Sequence, residues 1–166
     1  MGGSIVLVGF MGAGKSTVGR ALAERLCFRF YDTDEMVVKK AEMSIAQIFR
    51  KEGEEKFRDR EHRAVRHACS RPSRVIACGG GAVLQLRNYE LLRAAGPIVY
   101  LRAPAEVLRA RVGKGTGRPL LKTPGAFERL LRERAPGYER ACDITVDVSA
   151  DLTPEAVAEL IVERLT

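Results

Sequence analysis

The sequence predicts an α/β fold: a three-layer α/β/α sandwich on a five-stranded parallel sheet, in one domain spanning residues 1–166. Three observations carry this. Short apolar, β-branched runs at Ile5–Val8, 75–78, 98–101 and 144–148, with a weaker one at 28–31, alternate with helical patterns. Such β/α alternation implies parallel strands joined by crossover helices on both faces of one sheet. A length of 166 residues, 46% hydrophobic and 30% charged, suits one well-filled core. No repeat, low-complexity tract or linker divides the chain.

The elements follow in order. Ile5–Val8 reads as a buried first strand, and the helix after it, Lys15–Leu26, turns Val18, Ala21, Leu22 and Leu26 to one side. Ser44 with Gln47 forms a capping-box signature ahead of Ile45, Ile48 and Phe49. The charged stretch 54–70 keeps Phe57, Ala64, Val65 and Ala68 as a single buried stripe. Thr153 as N-cap and Pro154 at the first helical position open a closing helix, with Val157, Leu160, Ile161 and Leu165 facing inward. Between 112 and 124 the sequence VGKGTGRPLLKTP has three glycines and two prolines and too little periodicity for a stable element, which reads as a mobile loop.

Directly after the first strand stands GFMGAGKST, a complete G-x-x-x-x-G-K-[ST] phosphate loop. A glycine-rich turn could match by chance, but strand before and helix after are the context the motif requires. Gly9, Gly12 and Gly14 let the backbone turn tightly and aim its N–H groups at phosphate oxygens, with Gly12, Ala13 and Gly14 counted among the ATP-binding residues. The helix that starts at Lys15, Ser16 and Thr17 points its positive end there. Lys15 is placed for the β- and γ-phosphates and Ser16 for Mg²⁺. The motif predicts ATP binding.

Composition narrows the class. Lys and Arg outnumber Asp and Glu by 28 to 21, a net charge of +7. That could serve nucleic acid, a membrane surface or anionic small molecules. The arginines are scattered, no basic helix carries interleaved aromatics and Trp is absent, so no nucleic-acid partner is expected. The longest apolar stretch, near residues 5–13, is too short to span a bilayer, and the first residues lack a basic leader segment, so no membrane partner and a cytoplasmic location are expected. Cys27, Cys69, Cys78 and Cys142 lie far apart with no C-x-x-C pair, which reads as small, mostly buried fillers.

In open parallel sheets ligands bind beyond the carboxyl ends of the strands. That rule gathers the phosphate loop, the segment YDTDE at 31–35, and the CGGGA run at 78–82. Asp32 and Asp34 are one residue apart, so in an extended segment both project to the same side. Asp32 could hold magnesium and Asp34 the accepting hydroxyl; alternatively the pair simply caps the next helix. Gly79, Gly80 and Gly81 read either as a flexible turn or as a backbone that a ligand approaches closely.

Taken together, the ordered motifs GFMGAGKST, DTDE, SIAQIF, E-G-E-x-x-F-R-x-x-E ending at Glu61, GGGAV, RPLL at 118–121 and R-x-P-x-Y ending at Tyr138 resemble the shikimate kinases, in the nucleoside-monophosphate-kinase-like branch of phosphate-loop enzymes. The resemblance covers nearly the whole chain. It implies a phosphate-loop kinase fold with a lid at about 112–124, and ATP- and Mg²⁺-dependent phosphorylation of the shikimate 3-hydroxyl in aromatic amino acid biosynthesis. It implies that Asp34, Arg58, Gly79, Gly80, Gly81 and Arg134 hold shikimate, that Phe49 and Phe57 line its pocket, and that Ser16 and Asp32 serve magnesium. Arg118 is implied at the transferring phosphate, Lys15, Asp34 and Arg118 being the catalytic set, and Arg111 and Pro154 at the adenine. The enzyme so implied is a monomer whose partners are ATP and shikimate.

Physical chemistry agrees: a guanidinium forks onto a carboxylate, and Asp accepts from hydroxyls. Taken singly, Arg58 and Arg134 would read as solvated side chains on charged helices. Two departures from the family pattern stand out, Gly137 in place of Leu and Cys78 in place of Ser or Thr. Competing readings are gluconate kinase or another small-metabolite kinase, and a GTP-driven switch. The switch is disfavoured, because no D-x-x-G follows the second strand and no N-K-x-D is present.

Overall fold

A computed structural model describes residues 3–113 and 123–166. Five parallel strands, β1 (Ile5–Val8), β2 (Arg29–Asp32), β3 (Arg74–Ala77), β4 (Ile98–Arg102) and β5 (Ile144–Asp147), lie in the order β2-β3-β1-β4-β5. The central strand is β1, with Val6 opposite Ile76 on one side and Ile98 on the other. All of β1 and β3 is buried, as expected for parallel strands covered on both faces. Around them pack the helices α1 (Lys15–Leu26), α2 (Thr33–Ala41), α3 (Ile45–Glu52), α4 (Glu54–Ala68), α5 (Leu86–Ala95), α6 (Ala105–Val112), α7 (Ala126–Ala141) and α8 (Pro154–Leu165), with a 3₁₀ turn at Ala82–Leu84. This is the expected three-layer architecture.

Local chemistry sets the boundaries. The Ser44 hydroxyl accepts from the Gln47 N–H while the Gln47 side chain accepts from the Ser44 N–H, completing the capping box of α3. Thr153 caps α8 through the Ala156 N–H with Pro154 at the first position. The second strand starts one residue later than expected. Cys27 takes a left-handed conformation (φ 56°) to end α1, and the Phe28 N–H is spent on the Ala23 carbonyl. This turn also corrects the reading of the cysteines: Cys78 is buried and Cys69 and Cys142 are half-buried, but Cys27 is exposed. In α8, Val157 and Ile161 are buried while Leu160 and Leu165 are only half so.

Two apolar clusters hold the molecule. The larger joins the sheet to α1, α5, α7 and α8, with Leu7, Ile76, Leu92, Tyr138 and Ile161 among its fully buried members. The smaller, Val37, Ile48, Phe57 and Ala64, binds α2, α3 and α4 to one another. It holds α2 to α4 as a wall beside the carboxyl ends of β2 and β3.

Candidate active site

The phosphate loop leaves β1 over a backbone that only glycine fits. At Gly12 φ is 84°, and a Cβ there would lie 2.8 Å from the Leu108 carbonyl oxygen. Ala13 is a buried turn residue whose N–H is bonded to the Phe10 carbonyl at 3.1 Å. Gly14 precedes α1 without a side-chain cap, so the first N–H groups of the helix are not consumed by one. The Lys15 ammonium donates to the carbonyls of Gly9 (2.8 Å) and Phe10 (3.0 Å), which keeps its charge over the loop. Thr17 and Ser16 look into different cavities. Thr17 lines one of about 400 Å³ together with Gly12, Gly14, Arg111 and Pro154. There the Arg111 guanidinium donates to the Gly12 carbonyl at 3.3 Å.

Ser16 faces a second cavity, of about 440 Å³, lined by Asp32, Asp34, Phe49, Phe57, Arg58, Glu61, Gly80, Gly81 and Arg134 among others. Residues from β2, α2, α3, α4, α7 and the glycine run thus meet in one place. The glycines explain how. A Cβ on Gly79 would lie 2.5 Å from Asp34 Oδ1 and 3.1 Å from Glu61 Oε2, one on Gly80 would lie 2.8 Å from Arg134 Nη1, and one on Gly81 would lie 2.8 and 2.9 Å from the Arg58 nitrogens. Each bare Cα leaves room for charged side chains, Asp34 and Glu61 at Gly79, Arg134 at Gly80 and Arg58 at Gly81. The run is fixed from below: Gly79 N–H donates to Thr33 Oγ1 at 2.9 Å, and the buried Tyr138 hydroxyl donates to the Gly80 carbonyl at 2.5 Å. Tyr138 and Arg134 are four apart on α7 and so share a face.

The D-T-D segment is not extended beyond Asp32. Thr33 already begins α2, and Asp32 is its N-cap, accepting from the N–H groups of Asp34 (2.9 Å) and Glu35 (3.1 Å) through Oδ1. Its other oxygen accepts from the Ser16 hydroxyl. One oxygen of this carboxylate thus caps α2 while the other faces Ser16 of the phosphate loop. Among the described residues no three His, Cys, Asp or Glu side chains gather as a metal cage. The adjoining Ser16 and Asp32 oxygens fit Mg²⁺ nonetheless, since that ion commonly takes one or two protein ligands and completes its shell with water and phosphate.

Charge in the second cavity is held by partners. Arg58 donates to Glu61 at 2.9 Å, their side chains 13% and 1% exposed, and reaches Glu54 at 3.5 Å. Burial raises the pKa of Glu61 above the ordinary glutamate value, against the lowering pull of Arg58, and the Asp34 carboxylate adds to the rise. Arg134 is 8% exposed. Neither guanidinium is the solvated surface group its charged helix would imply. Phe49 and Phe57 meet at 4.8 Å between centroids, and the Arg58 guanidinium lies 5.2 Å from the Phe57 ring.

Every sequence-derived site residue within the described chain lies in or beside one of these two cavities, with Lys15 and Ala13 in the loop between. Arg118 and most of the expected lid fall in 114–122, outside the described residues. Sequence reasoning assigned no role to Glu61, Thr33 or Tyr138. The spacing of Arg58 and Glu61, three apart on a helix, was the one available signal for an ion pair. Gly137 also finds its account: the Leu84 side chain occupies the space, 2.4 Å from where a Cβ would stand, so apolar volume beside α7 is supplied from the 3₁₀ turn.

A phosphate loop at the centre of a parallel sheet, with a nucleotide-sized cavity on one side and a charged acceptor cavity on the other, defines a phosphotransferase of the phosphate-loop class. The shikimate kinase family model matches residues 11–166, and the chain belongs to that family. A shikimate kinase of Caldanaerobacter subterraneus subsp. tengcongensis is 48% identical over 162 residues, 96% of this chain and 94% of that protein. One of Geobacter sulfurreducens is 44% identical over 162 residues, 96% and 89%. The structure of the Acinetobacter baumannii shikimate kinase in complex with shikimate superposes with a TM-score of 0.92 at 38% identity, covering 98% of this chain and 92% of that one.

Proposed function

We propose that this chain transfers the γ-phosphate of ATP to the 3-hydroxyl of shikimate, and that Lys15, Asp34, Arg58 and Arg134 are the residues that make the transfer possible. The observation that carries the reading is the glycine run, whose three bare Cα positions admit Asp34 with Glu61, Arg134 and Arg58 into one cavity. Two guanidiniums and a carboxylate at that spacing suit a small hydroxylated carboxylate: Arg58 and Arg134 take the carboxylate, and Asp34 accepts from a ring hydroxyl. Phe49 and Phe57 supply the apolar wall. Lys15 brings its charge to the phosphates and stabilises the transferring group.

ATP occupies the cavity of Gly12, Gly14 and Thr17, with Arg111 and Pro154 at the adenine. Ser16 and Asp32 would hold Mg²⁺. Bound there, the ion would neutralise charge developing on the phosphates. Asp34 is positioned by its place in the first turn of α2 to orient the hydroxyl and take its proton. Arg118 is assigned to the transferring phosphate on its motif alone. The same reading makes the enzyme a cytoplasmic monomer, for which light scattering should give about the chain mass of 18.3 kDa.

A coupled assay of ATP turnover against shikimate, gluconate and no acceptor tests the reaction. Turnover should require shikimate. Equal turnover without an acceptor, or preference for gluconate, would contradict it.

A further inference from the structure

A third cavity, of about 570 Å³, opens between β2, α2 and α4 and shares no lining residue with either substrate cavity. Its floor is apolar: Val37 and Ala64 are buried, and Met36 and Tyr31 are partly so. Its rim is Lys39 and Lys40 from the last turn of α2 and Arg60, Arg63 and His67 from α4, and no Asp or Glu lines it. The spacing 60, 63, 67 puts the three α4 residues on one helix face.

Part of that charge is already matched. Arg60 donates through Nε and Nη2 to the two carboxylate oxygens of Glu52, each at 2.8 Å. Lys39, Lys40 and Arg63 form no ion pair among the described residues. Lysines in a last helical turn offset the helix dipole. That explains Lys39 and Lys40 but not the gathering of Arg63 and His67 at the same hollow.

Beneath the rim, the buried Arg74 adds a further cation. It donates to the carbonyls of His67 (2.6 Å) and Ala68 (2.8 Å) and lies 4.5 Å from the Tyr31 ring centre, with no carboxylate at ion-pair distance among the described residues. The Tyr31 ring in turn meets the His67 ring at 6.1 Å. Like charges so concentrated over a low-dielectric floor repel one another and focus a positive field into the hollow.

The geometry points to a second ligand site here, for a small polyanion of about ring size bearing two or three carboxylate or phosphate groups. The body lies on Val37, Ala64 and Tyr31, and the anionic groups meet Lys39, Lys40 and Arg63. The helices that form this site, α2 and α4, also carry Asp34 and Arg58.

Isothermal titration with benzene-1,3,5-tricarboxylate tests it, with MgADP and shikimate saturating so that both substrate cavities are filled, and ionic strength matched by sodium chloride. The wild type should bind one equivalent with a dissociation constant below about 1 mM. The variant Lys39→Ala/Lys40→Ala/Arg63→Ala, altered only at exposed side chains, should bind at least about tenfold more weakly, and so should the single charge reversal Arg63→Glu. No saturable binding to the wild type, or unchanged affinity in both variants, would overturn the proposal.

Discussion

Lys15 is expected to be needed for chemistry more than for folding. Its ammonium is held by two loop carbonyls, at 2.8 and 3.0 Å, so Lys15→Ala loses modest hydrogen bonds but the whole of the positive charge over the loop. The variant should fold, as circular dichroism will show, and lose on the order of 10²-fold or more in turnover; half of normal activity would contradict the role. Gly80 gives a finer probe. Its φ is not in the left-handed region, so Gly80→Ala strains no backbone, yet the added methyl would stand 2.8 Å from Arg134 Nη1 and push that side chain aside. Shikimate KM should rise with ATP KM unchanged. Glu61 adds a pH signature. Because its folded pKa is raised, its contribution to stability is full below the ordinary value of 4.5 and is lost as pH rises through the folded value. The melting temperature of wild type minus that of Glu61→Gln should therefore be largest near pH 4.5 and shrink toward pH 8; growth toward pH 8 would contradict the sign. At this scale the sequence was partly legible. Arg58 and Arg134 were found only through their motifs, since a charged helix ordinarily solvates its arginines. Glu61 and Thr33 were missed because their work depends on how close α4 and α2 approach Gly79, which spacing along the chain does not contain.

Among the elements, α2 is the one whose start does two things. Asp32 offers one oxygen to the N–H groups of Asp34 and Glu35 and the other to Ser16. Substitution separates the roles. Asn caps a helix about as well as Asp, so Asp32→Asn should melt within a degree or two of wild type while losing turnover and needing more Mg²⁺; Asp32→Ala should lose about 1 kcal/mol of stability besides. Normal turnover and Mg²⁺ dependence in Asp32→Asn would leave the residue only a cap. Elements with a strong chemical marker, such as the capping box of α3 and the Thr153-Pro154 start of α8, were read correctly. The start of β2 and the exposure of Cys27 were not, because the left-handed end of α1 falls on a cysteine where a glycine would have announced it.

Across the whole molecule, the order β2-β3-β1-β4-β5 brings the ends of β1, β2 and β3 side by side. That is why a phosphate loop, an Asp cap and a glycine run separated by dozens of residues form one site. β/α alternation together with the carboxyl-end rule made this convergence readable in advance, while the depth and partition of the cavities required packing that no local pattern encodes. α7 completes the site from the far end of the chain by delivering Arg134 and Tyr138 onto the same glycines. The acceptor side of that convergence is expected to serve shikimate rather than ATP. Direct titration of shikimate and of ATP against Arg58→Ala and Arg134→Ala measures it: each variant should bind shikimate at least about tenfold more weakly while binding ATP as the wild type does, and shikimate affinity unchanged in both would place the acceptor elsewhere.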